Sequence, residues 1–161
     1  MEFKAGTALP PPSDELIAWF EKTFRVRLPP DYVATLKAGN GAIPLTNLFE
    51  QGGRERLIEE MLCMLETPRA DPIHGVQDIS VVMTQVEEFL VDDEDLVGMN
   101  VIPFAQLFGG DLLCLDCRTN PETPAVVVWD HERSRQFEPH LEKVADSFAE
   151  FDAMLRKSHA D

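Results

Sequence analysis

The 161-residue chain is 44% apolar and 27% charged, the balance of a folded protein rather than a disordered one, and its length suits one domain that needs no covalent staples. Fourteen Lys and Arg against 29 Asp and Glu leave a formal net charge of −15, which disfavours nucleic acid and anionic membrane surfaces and favours a basic protein partner. No apolar stretch approaches the roughly 20 residues that cross a bilayer.

The opening residues MEFKAGTALPPPSDEL lack the basic start and apolar core of a secretion signal. Three cysteines without framework spacing fit a reducing compartment. The expected location is the cytoplasm.

Residues 1–12 read as an extended lead-in, because Pro10, Pro11 and Pro12 remove three backbone donors. Ser13 suits a helix N-cap, with Asp14 and Glu15 in the first turn, and Leu16, Ile17, Phe20 and Phe24 form an apolar stripe to about Arg25. A second helix starts at Pro30, faces Val33 and Leu36 inward and stops at Gly39 or Gly41. From Ala42 to Met64 two readings stand open. Leu57, Ile58, Met61, Leu62 and Leu65 have helical spacing, while Gly52-Gly53 between TNLFEQ and RERLIEEML signals a two-residue hairpin turn. A helix is expected from Asp78, with Ile79, Val82, Met83, Val86, Phe89 and Leu90 on one face.

The second half changes character. NVIPFAQL, DLLCLDC and AVVVWDHE are short β-rich runs separated by Gly-Gly-Asp and by RTNPETP, the pattern of an antiparallel meander. Trp129 lies in an apolar run and reads as core. A last helix opens at Ser147, which forms a capping box with Glu150, and turns Phe148, Phe151 and Leu155 inward. Helices at both ends around a central antiparallel sheet make a single-domain α+β fold.

Cys114 and Cys117 form a C-x-x-C pair. On one strand, residues three apart point to opposite faces, so the two thiols cannot share a metal. A redox pair places its first thiolate at a helix N-terminus, and RTNP follows here instead. His131 and His140 are spaced too widely to complete a zinc finger. The cysteines read as strand filler, and no cofactor or metal is expected.

Two acidic groups are candidates for contact with a basic partner: Asp92, Asp93, Glu94 and Asp95 in one run, and Asp111, Asp116, Asp130 and Glu132 on or beside the meander. The run lacks the D-x-D-x-D spacing of a calcium loop. An alternative makes Asp116, Asp130 and His131 an acid/base or metal-assisted hydrolase. No nucleophile elbow, phosphate-cradling loop or H-E-x-x-H motif accompanies them.

Four stretches in order resemble the SUKH superfamily, whose founding members include fungal cell-wall assembly regulators: LPPDYVATLKAGNGA, VIPFAQLFGGDLLCLDC, VVVWDHE and VADSFAEFDAML. Ala42 stands where a second glycine is usual, and Asp152 where an apolar residue is common. The resemblance implies one α+β domain over residues 1–161 and a hairpin around Gly52-Gly53. Most bacterial members are regarded as immunity proteins that bind a toxin, often a nuclease, so it also implies a non-enzymatic role and a cognate toxin as partner.

Overall fold

A computed structural model describes residues 1–158. Four helices surround one seven-stranded antiparallel sheet, an α+β fold. The elements are α1 (Asp14–Phe24), α2 (Pro30–Ala38), β1 (Thr46–Gln51), β2 (Arg54–Met61), α3 (Ile79–Leu90), β3 (Val101–Leu107), β4 (Leu112–Asp116), β5 (Ala125–Trp129), β6 (Leu141–Ala145), α4 (Phe148–Met154) and β7 (Arg156–Lys157). Two short 3₁₀ turns, Pro68–Ala70 and Gly75–Gln77, lie between β2 and α3. Strand order is β6-β5-β4-β3-β2-β1-β7, so β1 to β6 form an uninterrupted meander and β7 returns to the free edge of β1.

Each helix begins where a polar side chain or a proline relieves the free N–H groups of its first turn. The Leu16 N–H donates to Ser13 Oγ at 3.1 Å, and the Glu150 N–H donates to Ser147 Oγ at 3.1 Å. Glu150 closes its box one residue earlier than expected, accepting from the Asp146 N–H at 3.0 Å. Asp78 caps α3 by accepting from the Ser80 and Val81 N–H groups. Pro30 opens α2 at the position where its missing donor costs nothing.

The Ala42–Met64 stretch is a hairpin. Gly52 and Gly53 have φ of 57° and 76°, the two positive values that a tight two-residue turn needs. Its helical spacing has a physical source. The register between β2 and β3 slips between Ile58 and Glu60, so Ile58 and Met61, three apart, are both buried. A bulge resets the alternation of faces and imitates an i, i+3 stripe. A second slip between Pro103 and Ala105 puts Pro103 at an irregularity, where a residue without an N–H is tolerated inside a sheet.

The sheet curls. Gln51 at the end of β1 donates through Nε2 to Glu142 Oε2 on β6 at 2.9 Å, although four strands separate them in the sheet order. Flat strands at about 4.8 Å spacing would hold those two some 24 Å apart. The sheet wraps an aromatic core in which the Phe104 ring meets Tyr32, Phe148 and Phe151 at centroid distances of 5.7, 5.6 and 5.9 Å, and Phe49 meets Phe151 at 5.4 Å. Trp129 is buried, and its indole N–H donates to the Phe89 carbonyl at 2.7 Å.

Three expectations need correction. Phe89 does not share the inward face of α3: Val86 leaves helical geometry (φ −121°, ψ 15°), and beyond this kink the Phe89 ring is exposed while Leu90 is buried. Leu155 lies past the end of α4 as its C-cap and is half-buried. The strand carrying the cysteines ends at Asp116, leaving Cys117 just outside it. The lead-in is also less free than its prolines suggest, since Phe3 bridges Pro44 and the Leu9 N–H donates to the Asn40 carbonyl. Ala42, in place of the usual glycine, is fully buried, and the positive φ of that turn falls on Gly41 (65°). Asp152 keeps a one-third-exposed side chain at the edge of α4.

Asn40 is fully buried: its Nδ2 donates to the carbonyls of Pro10 at 2.8 Å and Met64 at 3.1 Å, and its Oδ1 accepts from the Met64 N–H at 2.8 Å. Asn40→Ala strands these groups and is expected to cost about 2–4 kcal/mol in chemical unfolding. Tyr32 is the opposite case. Its buried hydroxyl has no partner among the described residues, and burial pushes its pKa up. Tyr32→Phe is expected to leave stability unchanged or raise it by about 1 kcal/mol, and a clear loss would show that the hydroxyl is paired.

Candidate functional site

The carboxylates singled out in the sequence fall into two groups at opposite ends of the β4–β5 ladder. One group surrounds Arg118. Its guanidinium grips Asp116 with Nε to Oδ1 and Nη2 to Oδ2, both at 2.9 Å, and donates through Nη1 to Asp92 Oδ2 at 3.0 Å. The side-chain hydrogen bonds to Asp116 are the largest influence raising the Arg118 pKa. Asp92 and Asp116 are therefore held by one internal cation. The rest of the acidic run projects into water: Asp93, Glu94 and Asp95 are exposed, and Asp93 folds the loop by accepting from the Asp95 N–H at 2.9 Å.

The other group sits at the β3–β4 turn. Gly109 and Gly110 have φ of 97° and 98°, and a Cβ on Gly110 would lie 3.3 Å from the His131 ring, so glycine is required there for conformation and for space. The turn presents Asp111 between His131 and Arg56. Its Oδ1 accepts from the His131 N–H at 3.1 Å and lies 2.7 Å from His131 Nδ1, while Oδ2 accepts from Arg56 Nη2 at 2.7 Å. Asp130 turns the chain after β5 by accepting from the Glu132 and Arg133 N–H groups, each at 3.0 Å. Glu132 is exposed and, among the described residues, has no ion-pair partner.

The hydrolase constellation is not assembled. Asp130 and His131 are adjacent, but Asp116 pairs with Ala125, five residues back along β5, which is about 16 Å of strand. Asp116, Asp130 and Asp111 are each engaged by the chain's own donors. Among the described residues no three His, Cys, Asp or Glu side chains are grouped to hold a metal ion. All three cysteines are free and buried. Burial, with Asp116 nearby, pushes the Cys117 thiol up to about 12 and the Cys114 thiol well above its ordinary value, and burial with Asp78 nearby raises Cys63 to about 12. Such thiols stay protonated at neutral pH and make poor nucleophiles.

The sequence reading missed the cations that organise both groups. Arg118 follows Asp116 by two residues and was legible as a local pair. Arg56 carried no local signal, because it reaches Asp111 only through the pairing of β2 with β3.

Burial pushes the Asp111 pKa up, but the hydrogen bonds from His131 and Arg56 outweigh it and hold the carboxyl below its ordinary value. A group whose pKa is lower folded than unfolded adds stability above the ordinary carboxylate range near 4, and that stability is lost as pH falls through the folded value. Asp111→Asn is expected to cost about 1–2 kcal/mol at pH 7, with the gap to wild type closing below about pH 4 in urea titrations. A pH-independent gap would contradict this account.

Among the described residues no helix is long and apolar enough to cross a membrane. The SUKH_6 family model, described as SMI1-KNR4 cell-wall, matches residues 14–151, a span that runs from the first residue of α1 into α4. No curated protein and no solved structure matches the chain. With most of its length covered by one model, the chain belongs to the SUKH (SMI1-KNR4) family.

Proposed function

We propose that this chain is an immunity-type binding protein, which neutralises a cognate, cationic toxin domain of the nuclease kind by stoichiometric contact in the cytoplasm. The family match over residues 14–151 carries the reading, and the net charge of −15 supplies the sign of the partner. Occlusion needs no turnover. It needs about 800 Å² per partner, roughly a tenth of the 8868 Å² that the chain exposes. Negative potential speeds the encounter with a basic cleft and makes it dependent on salt.

The internal ion pairs refine which acids are available. Asp92, Asp111, Asp116 and Asp130 are already engaged, whereas Glu94, Asp95 and Glu132 project into water, as does Asp93 apart from the Asp95 N–H it accepts within its own loop. The free group supports long-range attraction, and the engaged group supports the scaffold.

The test is capture of the partner from the native cell, followed by reconstitution. The expected partner carries a cationic toxin domain, forms a 1:1 complex, loses its activity in that complex and is tolerated when co-expressed. Its association rate should fall about tenfold or more between about 20 mM and about 500 mM salt. A partner that keeps full activity in the saturated complex, or recovery of metabolic enzymes alone, would overturn the reading.

A further inference from the structure

The seam between α1 and α3 is open to solvent and has its own chemistry. At its upper end a cavity of about 350 Å³ is lined by Glu15, Leu16 and Trp19 from α1 and by Leu65, Glu66 and Pro68 from the segment after β2, with Ser80 closing it from α3. One to two turns further along the same helices, a second cavity of about 170 Å³ is lined by Thr23 and Phe24 of α1 and by Met83, Thr84 and Glu87 of α3. The two share no lining residue but follow one another over about 12 Å of α1, the eight-residue advance from Glu15 to Thr23, and the pair is named the α1–α3 trough.

Two properties set the trough apart. The first is Trp19, 53% exposed although its neighbour on the same helix, Phe20, is buried. An exposed tryptophan beside half-buried Leu65 and Pro68 supplies the large, rigid apolar area that dominates binding energy when a partner covers it. The second is charge. Both cavities carry carboxylates, Glu15 and Glu66 above and Glu87 below, and no Lys or Arg lines either one. Among the described residues none of the three forms an ion pair, and Glu66 engages only the Ser13 hydroxyl. Other grooves differ: that at β7 holds Arg56, Arg156 and Lys157, that at β6 holds Arg118 and Lys143, and that below α1 holds Arg25 and Arg27.

Building on the reading that the chain binds a cationic protein, we infer that the α1–α3 trough is the docking site for an amphipathic, Lys/Arg-bearing segment of that partner. Its apolar side chains pack on Trp19, Leu16 and Leu65, and its cations pair with Glu15, Glu66 and Glu87. A second copy of the chain is a poor occupant, because each copy carries −15 and the trough would face its own sign. Apolar contact fixes the seat, while the carboxylates select cationic segments and reject anionic ones.

The probe is a 14-residue peptide of Leu and Lys in amphipathic helical order, with a scrambled peptide of identical composition as control, added to the full chain. The indole N–H resonances report directly, Trp19 from the trough and Trp129, bonded to the Phe89 carbonyl, as a buried reference. The amphipathic peptide is expected to shift Trp19 and leave Trp129 in place. Titration calorimetry, which does not need the indole reporter, should show that Trp19→Ala, and separately the exposed pair Glu15→Gln with Glu66→Gln, weaken it at least tenfold. Asp93→Asn with Glu94→Gln and Asp95→Asn should not. Equal binding of the scrambled peptide, unchanged affinity in both trough variants, or a concentration-dependent dimer lost in Trp19→Ala would overturn the inference. A captured toxin domain that binds the Trp19→Ala chain as tightly as wild type would sink the trough and leave the immunity reading standing. Specific peptide binding without any cationic partner in the cell would do the reverse.

Discussion

Five consecutive backbone N–H groups, Met61 to Leu65, hold this fold in register. They sit where the chain leaves β2 for the interior, and each finds a different acceptor: the Ala42, Phe104 and Gln77 carbonyls for Met61, Leu62 and Cys63, Asn40 Oδ1 for Met64 and Asp78 Oδ2 for Leu65. A buried N–H without an acceptor is costly, so these five bonds fix where the turn after α2, strand β3 and the start of α3 stand relative to one another. Two of the acceptors are side chains, Asn40 and Asp78, which are among the few buried polar residues. Asp78 also caps α3, so one carboxylate both starts a helix and anchors the segment that follows β2.

Given that anchor, the sheet's curl follows from its bulges and its polar rim. Register slips in β2–β3 and β3–β4 bend the ladder over the Phe104 cluster. The curl brings Gln51 to Glu142, while Gln51 Oε1 also accepts from Arg56, whose other nitrogen holds Asp111. A polar chain thus links β1, β2, the β3–β4 turn and β6 around one end of the sheet, with His131 completing it from the segment after β5.

This arrangement divides the acidic side chains by task. Those within reach of Arg56, Arg118 or a backbone turn satisfy internal donors, and their charge is locally compensated. The remainder stay in water and set the negative potential around the molecule. Close contact calls for something else, an apolar seat that expels water. At the α1–α3 seam, Trp19 and Leu65 line one cavity together with Glu15 and Glu66, which puts apolar area and negative charge side by side.

Much was legible along the chain because its causes are local. Ser13, Ser147 and Asp78 cap the helices they precede, Gly52-Gly53 makes a turn only glycines make easily, and the apolar runs around Cys114 and Val127 are strands. Strands β6 and β7 escaped, being an exposed, charged edge strand and a two-residue pair that lack any apolar alternation. The acidic candidates were legible as residues but not as groups. Whether a carboxylate is free or engaged depends on cations remote in sequence: Arg56 lies 55 positions from Asp111. Local chemistry was therefore written in the sequence itself: the fold class, the caps, the turns and the sign of the charge. Only tertiary structure decided the curl of the sheet, the separation of Asp116 from His131 and the trough beside Trp19, because each depends on distances between residues remote in sequence, which pairing and packing alone determine.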